Sequence, residues 1–308
     1  MKLSEILSII ENDYDFPDGA NLQKITSELE ANLGSIELDI RDKSFEILYE
    51  WCAKGLYSDS ELLALGNRMA TNLSVGLGES ETDSVFLRSF SALTFCGVLN
   101  ADRIFSEGKI EGRKSFLTSD LLNKWLDKTI EFFIGEQDFR GYLDDKSWAH
   151  SIAHCGDLFR QFANNQHSKK NEHIKILDAL AKKLVHPTNQ IFSTNEDGRL
   201  CRVVATIWMR NLLSLEDFEK WLQQIISPFS DIIWNLWKLD PSTFNIRLNA
   251  RVNSRLFLHS LYFILLFGSQ GIFGPNDLHF KRISEYRDLV ALRIKKLDSN
   301  GFYYHEEK

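Results

Sequence analysis

Apolar residues recur every three or four positions along almost the whole chain, the spacing that lines one face of an α-helix. The period predicts helices over 2–12, 20–33, 41–57, 59–73, 81–99, 117–136, 145–164, 172–185, 197–212, 215–227, 229–238, 243–267 and 277–297. Polar residues that cap helices stand at several starts. Ser58 or Asp59 precedes one helix and Thr118 and Ser119 another, and Ser214 stands before LEDFEKWL with Asp217 at its third position. Gly, Asn and Pro fall between segments, as in FIGEQ, VHPTNQ and ISPFS. The alternation of strands is nearly absent. GSIELDI alternates over a short, isolated stretch, and the tail GFYYHEEK reads as extended.

An all-α chain of about thirteen helices with short connections is expected. Two-helix segments of about forty residues resemble HEAT- or armadillo-like repeats, an α-solenoid of stacked helical hairpins. No consensus residues repeat and no composition break marks a boundary, so one continuous domain over residues 1–308 is expected. Two helices look buried all round: Asp83–Leu99, which carries Arg88 inside an apolar stretch, and the helix containing SRLFLHSLYFILLF. A buried arginine needs a carboxylate or carbonyl partner.

Composition narrows the class. The chain is 44% hydrophobic and 26% charged, ordinary for a globular protein, with a net charge of −7. That balance argues against a dedicated nucleic-acid binder, because phosphate neutralisation needs clustered Lys and Arg. The locally basic segment LHFKRISEYRDLVALRIKKLD has charges at helical spacing and reads as a solvated helix face. The apolar run Leu256–Phe267 is too short to span a bilayer, and the start turns acidic without a signal-peptide core. Cys52, Cys96, Cys155 and Cys201 form no CxxC pair. A cytoplasmic protein without membrane insertion is expected. Gly76 and Gly78 follow a helix and lack the Lys-Ser/Thr ending of a phosphate loop, and there is no GxSxG.

The candidate chemistry sits in WAHSIAHCGD, Trp148–Asp157. On a helical wheel centred on Trp148, Ile152, Cys155, Phe159 and Phe162 fall within about 40° of it, an apolar stripe. His150, His154 and Asp157 fall on the opposite face. Two histidines four apart can share an ion, and Asp157 can add an oxygen ligand. Such donors suit a divalent metal, Zn, Mn, Fe or Ni. A zincin helix has Glu after its first His; here Ser151 stands in that place, so the general base is missing. The other readings are a metal-free binding face for a protein, peptide or small molecule, and a purely structural motif in which Asp157 fixes an imidazole tautomer.

The stretch RGYLDDKSWAHSIAHCGDLF, Arg140–Phe159, resembles the signature of an uncharacterised bacterial family, domain of unknown function 2785. The positions that carry it are Arg140, Gly141, Tyr142, Trp148, Ala149, His150, Ala153, His154 and Asp157. SVFLRSFSAL, with Asp102 and Arg103 shortly after, and FLHSLYF are similar to it too, so the likeness runs from about residue 40 onward. Ser147 stands where the family tends to have Gly, and Cys155 and Gly156 where small residues are usual. The resemblance implies an all-helical fold and no particular activity. It points to Arg140, Tyr142, Trp148, His150, His154 and Asp157 as candidate binding residues.

Other residues read as follows. Arg140 suits an anion clamp or, better, a structural role, capping a helix C-terminus or pairing with Asp138 or Asp144; Asp144 and Asp145 suit an N-cap for the histidine helix. Glu196 and Asp197 suit a helix dipole, with Arg199 and Arg202 beside them. Asn249, Arg251, Asn253 and Arg255 suit pairing with a neighbouring helix. Should a metal bind, His259, Glu196 or Asp102 are possible further ligands.

Overall fold

Chain segments with a 3.6-residue apolar period must bury one stripe, and helix-on-helix packing is how an all-α chain does so. The computed structural model describes residues 1–229, 240–272 and 283–298. Among them are twelve α-helices and one two-stranded hairpin. The helices are α1 Leu3–Glu11, α2 Leu22–Asn32, α3 Leu38–Ala53, α4 Asp59–Asn72, α5 Ser84–Ser106, α6 Ser119–Gly135, α7 Ser151–Asn164, α8 Lys170–Leu184, α9 Glu196–Met209, α10 Leu215–Ile226, α11 Pro241–Phe267 and α12 Ile283–Leu297. The expected helix over 229–238 and the tail GFYYHEEK lie outside the described residues, save Phe229 in a short 3-10 turn. GSIELDI is no strand: its second half forms the first turn of α3.

The chain packs as two compact units, Met1–Ser168 and Lys169–Lys308, although no change of composition marks the junction. In the first, α5 is the central helix and packs on α3, α4 and α7. Helices two apart in sequence lie together: α1 on α3, α3 on α5, α5 on α7 and α4 on α6. In the second, α8 packs on α10, α10 on α12 and α9 on α11.

α5 is buried nearly all round, as its sequence predicts. It is long and apolar enough to cross a bilayer, but 83% of its apolar window is buried within the protein, as in a core helix. The second helix expected to be buried all round, α11, is not. It buries Phe257, Leu258, Leu261 and Leu265 along one stripe, while Phe263 and Phe267 are exposed. The helix period, not total hydrophobicity, sets which face is covered.

Arg88 in α5 is fully buried. Its Nε and Nη2 donate to the two oxygens of Glu136, at 2.7 and 3.0 Å. Nη1 donates to the carbonyls of Val75 and Gly76, at 2.9 and 2.8 Å. Glu136 also accepts from the backbone N–H groups of Gln137 and Asp138. One side chain thus ties the segments leaving α4 and α6 to the core helix.

The expected caps form. Ser58, Thr118 and Ser214 accept from the backbone of Glu61, Leu121 and Asp217. Asp217 returns a bond to the Ser214 N–H at 2.8 Å and accepts from Lys170 Nζ at 2.7 Å. Lys170 and Ser214 together hold its carboxyl down at about 2. A depressed carboxylate contributes stability above its unfolded value near 4, and that contribution disappears as pH falls through the folded value. The amides of the first turn of α10 are therefore expected to lose hydrogen-exchange protection between about pH 4 and pH 2. Asp217→Asn would flatten that profile, and a profile identical in the variant would refute the assignment. Arg251 finds an acid as expected, pairing with Asp298 at 3.0 Å, while Asn249 and Asn253 bond backbone carbonyls.

Candidate binding site at the hairpin and helix α7

The site starts where α6 ends. Arg140 pairs with Asp138: its Nη2 lies 2.6 Å from Oδ2 and its Nε 2.8 Å from Oδ1. Nη2 also donates to the Thr82 carbonyl, and Asp138 accepts from the Glu81 N–H. Arg140 is therefore engaged within the protein, the pairing its neighbours in sequence suggest.

Residues 142–148 are not helical. Tyr142–Leu143 (β1) pairs antiparallel with Ser147–Trp148 (β2), Tyr142 opposite Trp148 and Leu143 opposite Ser147. Ala149 and His150 extend the ladder, donating to the carbonyls of Gly141 and Arg140. Asp144 and Asp145 sit in the connecting turn and do not cap α7. Ser147 has φ 62°, the left-handed conformation that glycine adopts at least cost. The expected helix over 145–164 thus begins six residues late.

The N-cap of α7 is His150 itself, also left-handed at φ 50°. Side chains two apart on an extended segment share a face, so the Trp148 and His150 rings stack, centroids 4.7 Å apart and planes 20° from parallel. Tyr142 meets Trp148 edge-on at 5.0 Å, and His150 meets His154 at 5.5 Å. Phe90 of α5 closes the row against His154 at 5.4 Å. Five rings run from surface to core: Tyr142 is 51% exposed and Trp148 37%, while His150 and His154 are buried.

The floor is apolar. Leu143 packs on Val85, Phe86 and Ala149. Arg41 of α3, fully buried, lies over Phe86 and Phe90, 4.1 and 4.7 Å from their centroids. Its guanidinium donates to the carbonyls of Ser35 and Lys146, at 2.6 and 2.7 Å, and so clamps the hairpin turn to α3. Burial lowers its pKa.

His154 is held from α5. Ser89 Oγ lies 2.7 Å from His154 Nδ1 and also bonds the Ala149 carbonyl. A carbonyl only accepts, so the single hydroxyl proton of Ser89 goes to Ala149. The contact with His154 therefore has Nδ1–H donating to Ser89. This places a ring N–H on Nδ1 of His154.

The wheel places the stripe Ile152, Cys155, Phe159 and Phe162 correctly; all four are buried. It misplaces the opposite face. His150 precedes the helix, and α7 packs on both α5 and α6, so His154 is buried as well. Asp157 is half-buried and within electrostatic reach of Cys96, whose thiol is pushed up by burial first and by the Asp157 charge second. Among the described residues, no group of three or more His, Cys, Asp and Glu side chains is arranged to hold a metal ion. His150, His154 and Asp157 thus do not form a ready three-ligand centre. Asp102 instead accepts hydrogen bonds from Ser115, Phe116, Leu117 and Asn165. Glu196 bonds the Thr194 N–H near the start of α9, and His259 lies on α11 in the second unit.

Sequence reasoning missed Arg41, Ser89 and Phe90. All three come from other helices, and nothing local marks them as partners of the histidines.

No curated protein and no solved structure matches the chain. The family described as protein of unknown function (DUF2785) matches residues 73–263, well over half of the chain and inclusive of the whole ring row and its α5 support. Its span is shorter at both ends than the expected reach from residue 40 onward. On that match, the chain belongs to the DUF2785 family.

Proposed function

We propose that this chain is a cytoplasmic ligand- or partner-binding protein built as a stack of helical hairpins, with its site at the hairpin–α7 junction. The observation that carries the reading is the ring row: Tyr142 and Trp148 are exposed on a hairpin anchored from beneath, with His150 and His154 behind them. Large exposed aromatics cost little to hold rigid and are the usual anchors of binding surfaces. The packing of helices two apart supports the stacked architecture. Four buried free cysteines support a reducing compartment.

The turn adds Asp144 and Asp145, both exposed, beside the two rings. Ring faces and carboxylates together favour a cationic or planar group on the occupant, such as a basic peptide side chain or a small amine. The buried His150 and His154 rings supply polar selectivity behind Trp148.

A thermal-shift screen of basic and aromatic amino acids, polyamines and short basic peptides tests this. A hit whose affinity falls about 30-fold in Trp148→Ala, with Tm of the free protein little changed, is the expected result. A hit untouched by Trp148→Ala and Tyr142→Ala would move the site elsewhere, and no hit at all would retire the reading.

One observation favours a second reading, a metal-dependent hydrolase with His150, His154 and Asp157 as ligands. Ser89 orients His154 through Nδ1 as outer partners orient metal-binding imidazoles. It requires Asp157 and His150 to shift into coordination range, about 2.0–2.2 Å. Metal content of wild type and of His150→Ala/His154→Ala separates the two readings.

A further inference from the structure

At the other end of α7, three segments bring a third histidine against two serines and a buried acid. Asp102, near the end of α5, is fully buried. Its Oδ1 accepts from Ser115 Oγ at 2.9 Å and from the N–H groups of Phe116 and Leu117 at 2.8 and 3.0 Å. Its Oδ2 accepts from Asn165 Nδ2 at 2.9 Å. His167, just past α7, is placed by its own N–H on Asn165 Oδ1. Its Nε2 lies 3.4 Å from Ser115 Oγ and its Nδ1 3.5 Å from Ser119 Oγ.

Proton accounting fixes the direction of this chain. Four donors hold Asp102 as an acceptor, so Ser115 spends its one hydroxyl proton on it. Ser115 Oγ can then only accept from His167, which places the proton of neutral His167 on Nε2. Nδ1 is left with its lone pair facing the Ser119 hydroxyl. A serine hydroxyl beside an imidazole base, whose far nitrogen is oriented by a polar group leading to a buried carboxylate, is the logic of an activated nucleophile. Here Ser115 stands between the imidazole and the acid. Contacts of 3.4–3.5 Å are long, as catalytic contacts are before substrate tightens them.

Ser119 is also the first residue of α6. Thr118 satisfies the N–H of Leu121 with its side chain and that of Leu122 with its carbonyl. The N–H groups of Ser119 and Asp120 precede the first intrahelical bond. They are donors of the kind that stabilise a developing oxyanion. Ser119 is exposed, so an acyl group reaches it from solvent.

The geometry points to Ser119 as a nucleophile for acyl transfer from esters, with His167 as its base and Ser115 and Asp102 as positioning residues. Ser119 Oγ attacks the acyl carbon while its proton passes to His167 Nδ1. The tetrahedral intermediate expels the alcohol, which takes that proton. Water then attacks the acyl-serine, giving a proton to Nδ1, and releases the acid as Ser119 regains its proton. The overall reaction is ester plus water to acid plus alcohol.

Full-length protein treated with a fluorophosphonate, and separately with p-nitrophenyl acetate, tests the assignment. The expected result is a phosphonyl adduct on Ser119, located by peptide mass mapping and absent in Ser119→Ala. His167→Ala should acylate about 100-fold more slowly, with an unchanged circular dichroism spectrum. Ser115→Ala should lower kcat for the acetate ester without raising KM, and Ser115→Thr should restore it, which a merely structural role would not do. An unmodified Ser119 in folded protein, an adduct on a different serine, or equal rates in His167→Ala would each overturn the proposal. None of these outcomes bears on the ring row at the hairpin.

Discussion

Arg88→Ala will destabilise the first unit by about 3–5 kcal/mol, the cost of leaving a buried carboxylate without its counter-charge. The variant strips Glu136 of both guanidinium bonds and leaves the Val75 and Gly76 carbonyls without that donor. Glu136 cannot turn to solvent, because the N–H groups of Gln137 and Asp138 hold it in place. The control is Arg88→Met/Glu136→Gln, which removes both charges while keeping an acceptor for those two N–H groups. It should recover a substantial part of the loss, since a buried pair replaced by neutral groups of similar volume is often near neutral. Urea unfolding of the three proteins measures this. A single variant that loses less than about 1 kcal/mol would show that water reaches Glu136.

The second large effect is at Trp125. Its ring fills the space between α4, α5 and α6, packs edge-on against Phe95 at 5.0 Å and donates from Nε1 to Asn67. Trp125→Ala should cost about 3–5 kcal/mol through lost burial and the cavity left behind. Its neighbour makes the test specific. Gly66 sits in the middle of α4, where alanine would normally gain about 1 kcal/mol in helix propensity. A Cβ there would stand 2.7 Å from Trp125 Cζ2, with another ring carbon closer still. Gly66→Ala alone should therefore destabilise by about 1–3 kcal/mol. In the Trp125→Ala background the clash is gone, and the same change should become neutral or stabilising. If Gly66→Ala has the same sign in both backgrounds, the close approach of ring and backbone is not what glycine serves.

These cases show what was legible in the sequence. The helical class, the caps at Ser58, Thr118 and Ser214, and a buried partner for Arg88 all follow from local spacing or elementary electrostatics. The histidine motif was legible as a place and misread as a geometry. Trp148, His150 and His154 fit a helical wheel, yet the first two belong to a strand and a cap. Trp148-Ala149-His150 also alternates with period two, and Asp144-Asp145-Lys146 reads as a turn; the longer helical period outweighed both. Burial of His154 was not legible, because it comes from α5 lying across a face that a single wheel treats as wet. The Ser119–His167 arrangement was hidden for a related reason: its members span 102–167, with no two adjacent.

The clamp from Arg41 to the hairpin turn ties the ring row to a helix outside the family match. The family match begins at residue 73, yet the guanidinium that grips the Lys146 carbonyl belongs to α3, thirty-two positions earlier. α3 and α4 also cover two sides of the central helix, and both precede the matched span. A chain cut at the family boundary would expose the faces of α5 that they bury and release the turn bearing Asp144 and Asp145. The span of the family match is thus narrower than the structural unit that shapes its ring row, and the autonomous piece of this protein has to be drawn from α3 or earlier.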